Sequence, residues 1–479
     1  MSVASQSSQQ TQTPPSFVPQ PIAGMGSHSF RLAASTSPSW RVGQILLLAD
    51  VVGILACALL CLALGMRDAN SLVPGLTLWP IQLAVMYLAG SYRVGALDSV
   101  WSTPARCLLA ALIAKSLHYL GQQQLGWSVA ASFPLWGFSV VWPVFTRLLV
   151  GHWWRSRAGR VRWLAIGPRE CLAQLHHDRI SNAKVGDIVY ISREPADARD
   201  DDPLPISGSL NSIDTWLNRR WTGIIVADAD RLPDTMTQRL MTARLAGIRV
   251  TTLSDFYERQ WRKVPIYHLH DGWFALSQGF DLLHHPMGLR LKRMMDIACA
   301  MVLLIVSSPV VAITAIAIKL TSAGPVLFRQ ERVGRGGVVF TMLKFRTMRV
   351  GSESGDRYTQ KKDARVTLIG RFLRRSRLDE LPQLWNVLIG EMSFIGPRAE
   401  WTRCVSEYEN EIPFYQLRHL LKPGLTGWAQ VNYPYGASIE DAREKLQYDF
   451  FYIKNHSLWL DLLILLKTVR VVLYGFGSR

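Results

Sequence analysis

From Gly43 to Met66 the chain reads GQILLLADVVGILACALLCLALGM, 24 residues with a single acid, Asp50. A bilayer core needs about 20 predominantly apolar residues to be crossed by a helix, so this run predicts a transmembrane span. Three more apolar runs follow, Leu72–Tyr92, Cys107–Gly121 (which contains Lys115 and His118) and Ala131–Val150. Arginine is retained on the cytoplasmic side of such spans. Arg31 and Arg41 precede the first run, Arg93 and Arg106 flank the second loop, Arg155, Arg157, Arg160 and Arg162 follow the fourth, and the loop at 122–126 has no charge. The pattern predicts four spans over 39–151 with both ends in the cytoplasm. Residues 1–38, rich in Ser, Gln, Thr and Pro, read as a disordered cytoplasmic tail without a signal peptide.

After residue 151 the pattern changes. Short β-rich runs at 161–167, 188–191, 223–228 and 248–253 alternate with helix-compatible stretches over 152–283, which predicts a Rossmann-like α/β module with a parallel sheet. The first strand ends in Gly167-Pro168, where a dinucleotide turn needs G-x-G-x-x-G, so no bound dinucleotide is expected. A nucleotide-sugar dehydratase or epimerase would also need Tyr-x-x-x-Lys in this module, but the candidate pair, Tyr358 and Lys362, lies elsewhere. The six cysteines have no metal-ligand spacing and read as buried thiols.

Ile297–Ile318 is a further run of 22 residues without a charge. Both flanks are basic, with Arg290, Lys292 and Arg293 before it and Lys319, Arg329, Arg332 and Arg335 after it, so crossing would carry one basic flank outward. Pro309, preceded by Ser307 and Ser308, removes a backbone donor near the middle. A re-entrant helix over about 291–320, broken at Ser308-Pro309, is therefore expected, with serine hydroxyls helping to satisfy freed carbonyls.

Of the net charge of +17, 13 units fall between Arg290 and Arg377, where 18 Lys and Arg face 5 Asp and Glu. Such a field attracts phosphorylated substrates and anionic lipid, and nucleic acid as well. Directly after it stand Asp379 and Glu380, then Leu381-Pro382, at an expected helix start. Arg371, Arg374, Arg375 and Arg377 would keep both carboxylates ionised. Adjacent acids in a basic field are suited to holding a divalent metal and attacking a phosphate.

Further motifs follow in order: LKFRTM at 343–348, presenting Lys344 and Arg346 from a strand-like run; DELPQLWNVL at 379–388; GEMSFIGPR at 390–398, ending in Arg398; KPGLTGWAQVN at 422–432; and a tail containing Tyr448, Asp449, Tyr452 and Asp461. Together with the Ser-Pro-interrupted helix, these motifs make Leu289–Gly477 resemble the bacterial sugar transferases, which are polyprenyl-phosphate hexose-1-phosphate transferases. The preceding 250 or so residues resemble the added spans and degenerate nucleotide-fold module of the larger members. Ala399 departs from the proline often found after the family's arginine.

The resemblance implies a mostly helical monotopic catalytic domain over 289–479 and a two-step exchange. Asp379 would attack the sugar-bearing phosphate of a UDP-hexose and release UMP, and undecaprenyl phosphate would then take the sugar phosphate. It implies Mg²⁺ or Mn²⁺ at Asp379 and Glu380, with phosphate contacts from Arg398 and Lys344. Substrate contacts are expected from Arg346, Arg375 and Arg377, from Gln430 and Asn432, and from Asp449, Tyr452 and Asp461. The last two acids, Asp449 and Asp461, read equally well as structural. Likeness to the larger exopolysaccharide members favours UDP-glucose, with UDP-galactose next. The expected partners are these substrates and membrane lipid, not nucleic acid; a homo-oligomer is left open.

Overall fold

The computed structural model describes residues 39–63, 79–87, 91–92, 102–125, 133–158, 161–181, 186–193, 204–229, 231–269, 273–274, 277–280, 286–351, 365–433, 436 and 438–474. The expected tail at 1–38, most of the expected inter-span loops and the Tyr358/Lys362 pair lie outside the described residues.

Three long helices, α1 (Ser39–Ala63), α2 (Ser102–Leu125) and α3 (Phe133–Ala158), make up much of the N-terminal region. Asp50, the one acid of the first apolar run, is fully buried against Arg147 of α3, with oxygens 2.9 and 2.7 Å from its two Nη atoms, and Tyr92 Oη donates to the same carboxylate at 2.8 Å. A buried charge is tolerated when it is paired in this way. Among the described residues one helix, Pro286–Thr321, is long and apolar enough to cross a membrane, with Val42–Ala56 a shorter apolar stretch.

The α/β module follows as expected. Strands β1 (Arg162–Gly167), β2 (Asp187–Ser192), β3 (Ile206–Ser209), β4 (Gly223–Val226) and β5 (Arg249–Thr252) form one parallel sheet in the order β3-β2-β1-β4-β5. Its central strands are buried on both faces, which is why they read as continuous apolar runs. The short third strand, ISGS, was missed for lack of such a run. A Cβ on Gly167 would approach the Ala227 Cβ to 2.5 Å, so this glycine lets the β1 and β4 ends pack closely. Helices α4 (Arg169–Ser181) and α5 (Asp234–Leu245) flank the sheet, and α6 (Leu253–Trp261) leads into the catalytic domain.

The helix α7 (Pro286–Thr321) has 36 residues, about 54 Å at 1.5 Å per residue. Helical structure continues across Ser308-Pro309, the place of the expected break. The local reason is visible. Pro309 cannot donate to the Ile305 carbonyl, and Ser308 Oγ donates to that oxygen instead at 2.8 Å, while Ser307 Oγ donates to Leu303 O at 2.6 Å. The middle of α7 is exposed and apolar, including Val302, Ile305, Val306 and Ile313. Its two ends pack on one domain. At the N-terminal end Asp296 accepts from Ser393 Oγ and Phe394 N, and Arg293 Nη2 donates to Leu388 O at 2.7 Å. At the other end Ile318 shares a buried cluster with Phe345 and Leu373.

The rest of that domain comprises the antiparallel pair β6 (Leu327–Val333) and β7 (Val339–Phe345), helices α8 (Leu368–Ser376) and α9 (Gln383–Ile389), and the parallel pair β8 (Ser393–Ile395) and β9 (Gly424–Thr426). Helices α10 (Thr402–Glu411), α11 (Trp428–Asn432), α12 (Ile439–Lys454) and α13 (Leu458–Tyr474) complete it. Helix α12 also carries the α/β module: Lys263, fully buried, lies 3.1 Å from both Asp178 of α4 and Glu444 of α12. Cys107, Cys171 and Cys404 are buried free thiols and Cys299 is half-buried; the side chains of Cys57 and Cys61 lie outside the described set.

Candidate active site

Helix α8 stops because Arg377 takes a left-handed conformation (φ 61°), and the chain turns at once into a 3-10 turn, Leu378–Glu380. Asp379 and Glu380 thus sit in this turn, just ahead of the helix expected to start with them. Glu380 is largely buried and its Oε1 lies 3.3 Å from Arg398 Nη2 and 3.6 Å from Arg377 Nη1. Burial would raise its pKa, but Arg398, Lys344 and Arg377 outweigh that and hold it at about 2. Asp379 behaves differently. Burial and the adjacent Glu380 charge push it up to about 6, against the opposing Lys344, Arg374 and Arg377. The upstream Arg374 and Arg377 thus favour the ionised form of Asp379, as expected, but burial outweighs them, so that Asp379 ionises only around pH 6 while Glu380 is ionised far below it.

Lys344, on β7, is within electrostatic reach of both acids and of Arg398; burial and Arg398 lower its pKa to about 7. Two carboxylates whose environments separate them by this much are matched to different tasks: Glu380 as a permanent charge and Asp379 as the more basic, more nucleophilic oxygen.

Arg398 owes its place to backbone contacts. Gly396 and Gly424 approach so closely that a Cβ on Gly424 would lie 2.1 Å from Gly396 N, which accounts for glycine in both GPR and PGLTG. Arg332 Nη1 donates to Ala399 O at 3.1 Å, and Arg418 Nη2 donates to the Arg398 carbonyl at 3.0 Å. Arg418 is itself buried with Asp449, 2.9 Å away, and Glu400, 3.8 Å away. Sequence reasoning passed over Arg418 and Glu400 because nothing in the local pattern marks them; their role depends on residues 20 to 31 positions away.

Several residues expected to meet substrate also make contacts inside the domain. Asp449 holds Arg418, and burial raises its pKa to about 6 despite that arginine. Asp461 is fully buried, 2.8 Å from Lys292 of α7, and accepts from Tyr452 Oη at 2.7 Å. Arg346, one residue beyond β7, donates to the Ser322 and Ala323 carbonyls at 2.7 and 2.9 Å and so closes the C-terminal end of α7. Asn432 bonds Trp428 O and Lys467 Nζ, and Gln430 Nε2 donates to Leu425 O. Arg375 is exposed on α8, whereas Arg377 stays beside Glu380. The side chains gathered at the carboxylate turn are therefore Lys344, Arg377 and Arg398.

With this geometry established, the comparisons with known proteins bear on it. The family model described as bacterial sugar transferase matches residues 287–475, the segment that contains the turn. The chain is 45% identical over 181 residues to a UDP-glucose:undecaprenyl-phosphate glucose-1-phosphate transferase of Caulobacter vibrioides, covering 37% of this chain and 68% of that protein. The chain belongs to the bacterial sugar transferase family. Other family members extend the match towards the N-terminus. A Xanthomonas campestris pv. campestris protein of the same name as the Caulobacter one is 36% identical over 330 residues, 65% of this chain and 66% of the relative. A UDP-N-acetylgalactosamine-undecaprenyl-phosphate N-acetylgalactosaminephosphotransferase of Aeromonas hydrophila is 45% identical over 258 residues, 53% of this chain and 60% of the relative. The chain thus spans just under two thirds of the length of these last two relatives.

Proposed function

We propose that this bacterial sugar transferase moves hexose 1-phosphate from a UDP-hexose to undecaprenyl phosphate, releasing UMP and giving an undecaprenyl-diphospho-sugar. The observation that carries the reading is the separation of the two carboxylates, one held ionised by Arg398 and Arg377 and the other raised in basicity by burial. An Asp379 oxygen attacks the sugar-bearing phosphorus, a new O–P bond forms, and the bond to the UMP phosphate breaks. An oxygen of the lipid phosphate then attacks the same phosphorus and frees Asp379. Each displacement is easier than the direct one between two anions. Arg398 offers a planar donor fork to phosphate oxygens, and Lys344 adds a positive contact while protonated.

Mg²⁺, or Mn²⁺ in its place, suits this donor set, since such ions are bound through one or two carboxylates with substrate phosphates completing the shell. Asp379 and Glu380 are two adjacent hard oxygen ligands beside an expected diphosphate, and would hold the ion. When bound it would supply charge screening for the leaving UMP.

The pH dependence follows from the two shifted groups. Asp379 must be deprotonated to attack, so kcat/KM is present above a pH of about 6 and lost below it; Lys344 must be protonated, so kcat/KM falls above about 7. Initial rates of UMP release across pH should trace this narrow bell. In Lys344→Gln the alkaline limb should disappear, and a limb that persisted unchanged would remove Lys344 from the scheme.

The membrane arrangement belongs to the same reading. We infer four N-terminal spans in the bacterial inner membrane, and a re-entrant α7 that dips into the cytoplasmic leaflet. Both ends of α7 are bound by one domain, which supports a hairpin-like excursion over a crossing. Helix α8, with Leu368 and Phe372 exposed and Arg371 and Arg375 beside them, has the composition of a helix lying at a lipid surface. Single cysteines placed at 320 and 327 in a cysteine-free background should resist an impermeant maleimide in intact cells and react after permeabilisation. Labelling of intact cells at both positions would make α7 a crossing helix.

The decisive test of function is UMP release by detergent-solubilised protein given undecaprenyl phosphate, Mg²⁺ and a panel of UDP-sugars. UDP-glucose is the expected donor. UDP-N-acetylgalactosamine is the second reading, favoured by the 258-residue match to the Aeromonas protein. Lipid-dependent release with one sugar identifies the substrate, whereas no release with any sugar overturns the proposal.

A further inference from the structure

Of the two amide residues in the DELPQLWNVL motif, Asn386 is hydrogen-bonded to β7, whereas Gln383 is left without a role in the reaction as drawn. Gln383, the first residue of α9, is 4% exposed, and its Nε2 has no hydrogen-bond partner among the described residues. An amide donor buried without a partner is destabilising, and native structures contain few of them. The location is specific. Leu381 (φ −54°, ψ −38°) and Pro382 (φ −61°, ψ −19°) are both helical, so the chain winds from the carboxylate turn into α9 without a change of direction. Gln383 follows Asp379 by four residues and Glu380 by three, the spacings that share a helix face.

The following turn of α9 is fixed by Asn386. Asn386 accepts from Leu343 N at 3.1 Å and donates to Thr341 O at 2.8 Å, which clips this face of α9 to the free edge of β7. Lys344 is the next residue on that strand. Along the chain Gln383 thus stands between the carboxylate turn and Asn386, the residue that ties α9 to the Lys344 strand. It donates to neither of the two acids that precede it by one turn, although both are strong acceptors, so its N–H groups are left over for a third acceptor.

We propose that Gln383 is a catalytic residue whose side-chain amide donates to a non-bridging oxygen of the phosphoryl group transferred at Asp379. This rests on the reaction proposed above. A phosphoryl group in transfer spreads charge over three equatorial oxygens and gains from every fixed donor in reach. A neutral amide supplies such a donor without adding to the positive charge of Lys344, Arg377 and Arg398. Being already desolvated and rigidly mounted, it needs no reorganisation as charge develops.

The test is Gln383→Met, close to the original in volume and without the amide. Measured in detergent-solubilised full-length protein, the thermal midpoint without substrate should stay level or rise, because an unsatisfied donor has been removed. UMP release should lose about 10²-fold in kcat, with KM for the UDP-sugar changed by less than about 3-fold, as for loss of a donor used mainly in the transition state. A fall in the midpoint of several degrees would make Gln383 a structural residue. An unchanged kcat, or a loss confined to KM, would equally overturn the assignment. If wild-type protein releases no UMP with any sugar, it is the reaction itself that fails, which separates that outcome from a fault in the role of Gln383.

Discussion

Asp379→Asn should abolish UMP release while leaving the protein folded and able to bind the UDP-sugar. Asparagine keeps the size and polarity of the side chain but removes the anionic oxygen that forms the new bond. Loss of a covalent nucleophile typically costs on the order of 10⁴ to 10⁶ in turnover. Binding should survive, because Arg398, Arg377 and Lys344, the groups proposed to meet the phosphates, remain, and removal of one negative charge relieves repulsion with the incoming diphosphate. The wild-type protein given UDP-sugar without lipid should release a burst of UMP stoichiometric with enzyme and gain the mass of a hexose phosphate on the peptide containing Asp379. In the variant both burst and adduct should vanish. If Asp379→Asn retained a burst, the nucleophile would have to be sought elsewhere, with Glu380 an unfavourable choice because its Arg398 and Arg377 contacts keep it weakly basic.

Lys292→Met should produce the largest loss of stability. Lys292 lies 2.8 Å from Asp461 and 3.6 Å from Asp296, and both acids are almost fully buried. Removing one partner of a buried pair leaves an uncompensated charge and costs about 3–5 kcal/mol. The effect should reach the active site, because Asp296 holds the Ser393 hydroxyl and Phe394 N–H of β8, the strand that leads to Arg398. Chemical denaturation in detergent should therefore show a lower midpoint for Lys292→Met, with much of the loss recovered in the Lys292→Met, Asp461→Leu double variant. A single variant as stable as wild type would show that the pair contributes nothing to the fold. Acid should act on the same contact. Although burial opposes it, His456 and Lys292 hold the pKa of Asp461 below the ordinary carboxylate value. The stability it adds is thus complete above the unfolded-state pKa and is lost as pH falls through the folded value.

These two acids illustrate how far a sequence reading reaches. Asp379 could be singled out because its neighbours in the chain are also its neighbours in space: Glu380 follows it, Arg377 precedes it, and one short turn fixes all three. Asp461 sits in a similarly suggestive motif, yet its partner is Lys292, 169 residues earlier. No local pattern distinguishes a carboxylate that meets substrate from one that meets a lysine of a distant helix. Asp449, Tyr452, Gln430, Asn432 and Arg346 stand in equally suggestive motifs, and each also makes contacts within the domain that no local pattern announces. Arg147 lay unremarked in the fourth apolar run until the fold set it against Asp50, 97 residues away.

By itself the sequence determined what depends on short range and on composition. It gave the apolar runs, the parallel α/β module, the order of the catalytic motifs and the adjacency of the two carboxylates, since periodicity and chain neighbours carry that information. Tertiary structure alone decided the pKa separation of Asp379 and Glu380, the packing of both ends of α7 on one domain, the internal ion pairs and the unpartnered Nε2 of Gln383. Burial and pairing are properties of what surrounds a side chain, and those surroundings are assembled from parts of the chain that no local pattern connects.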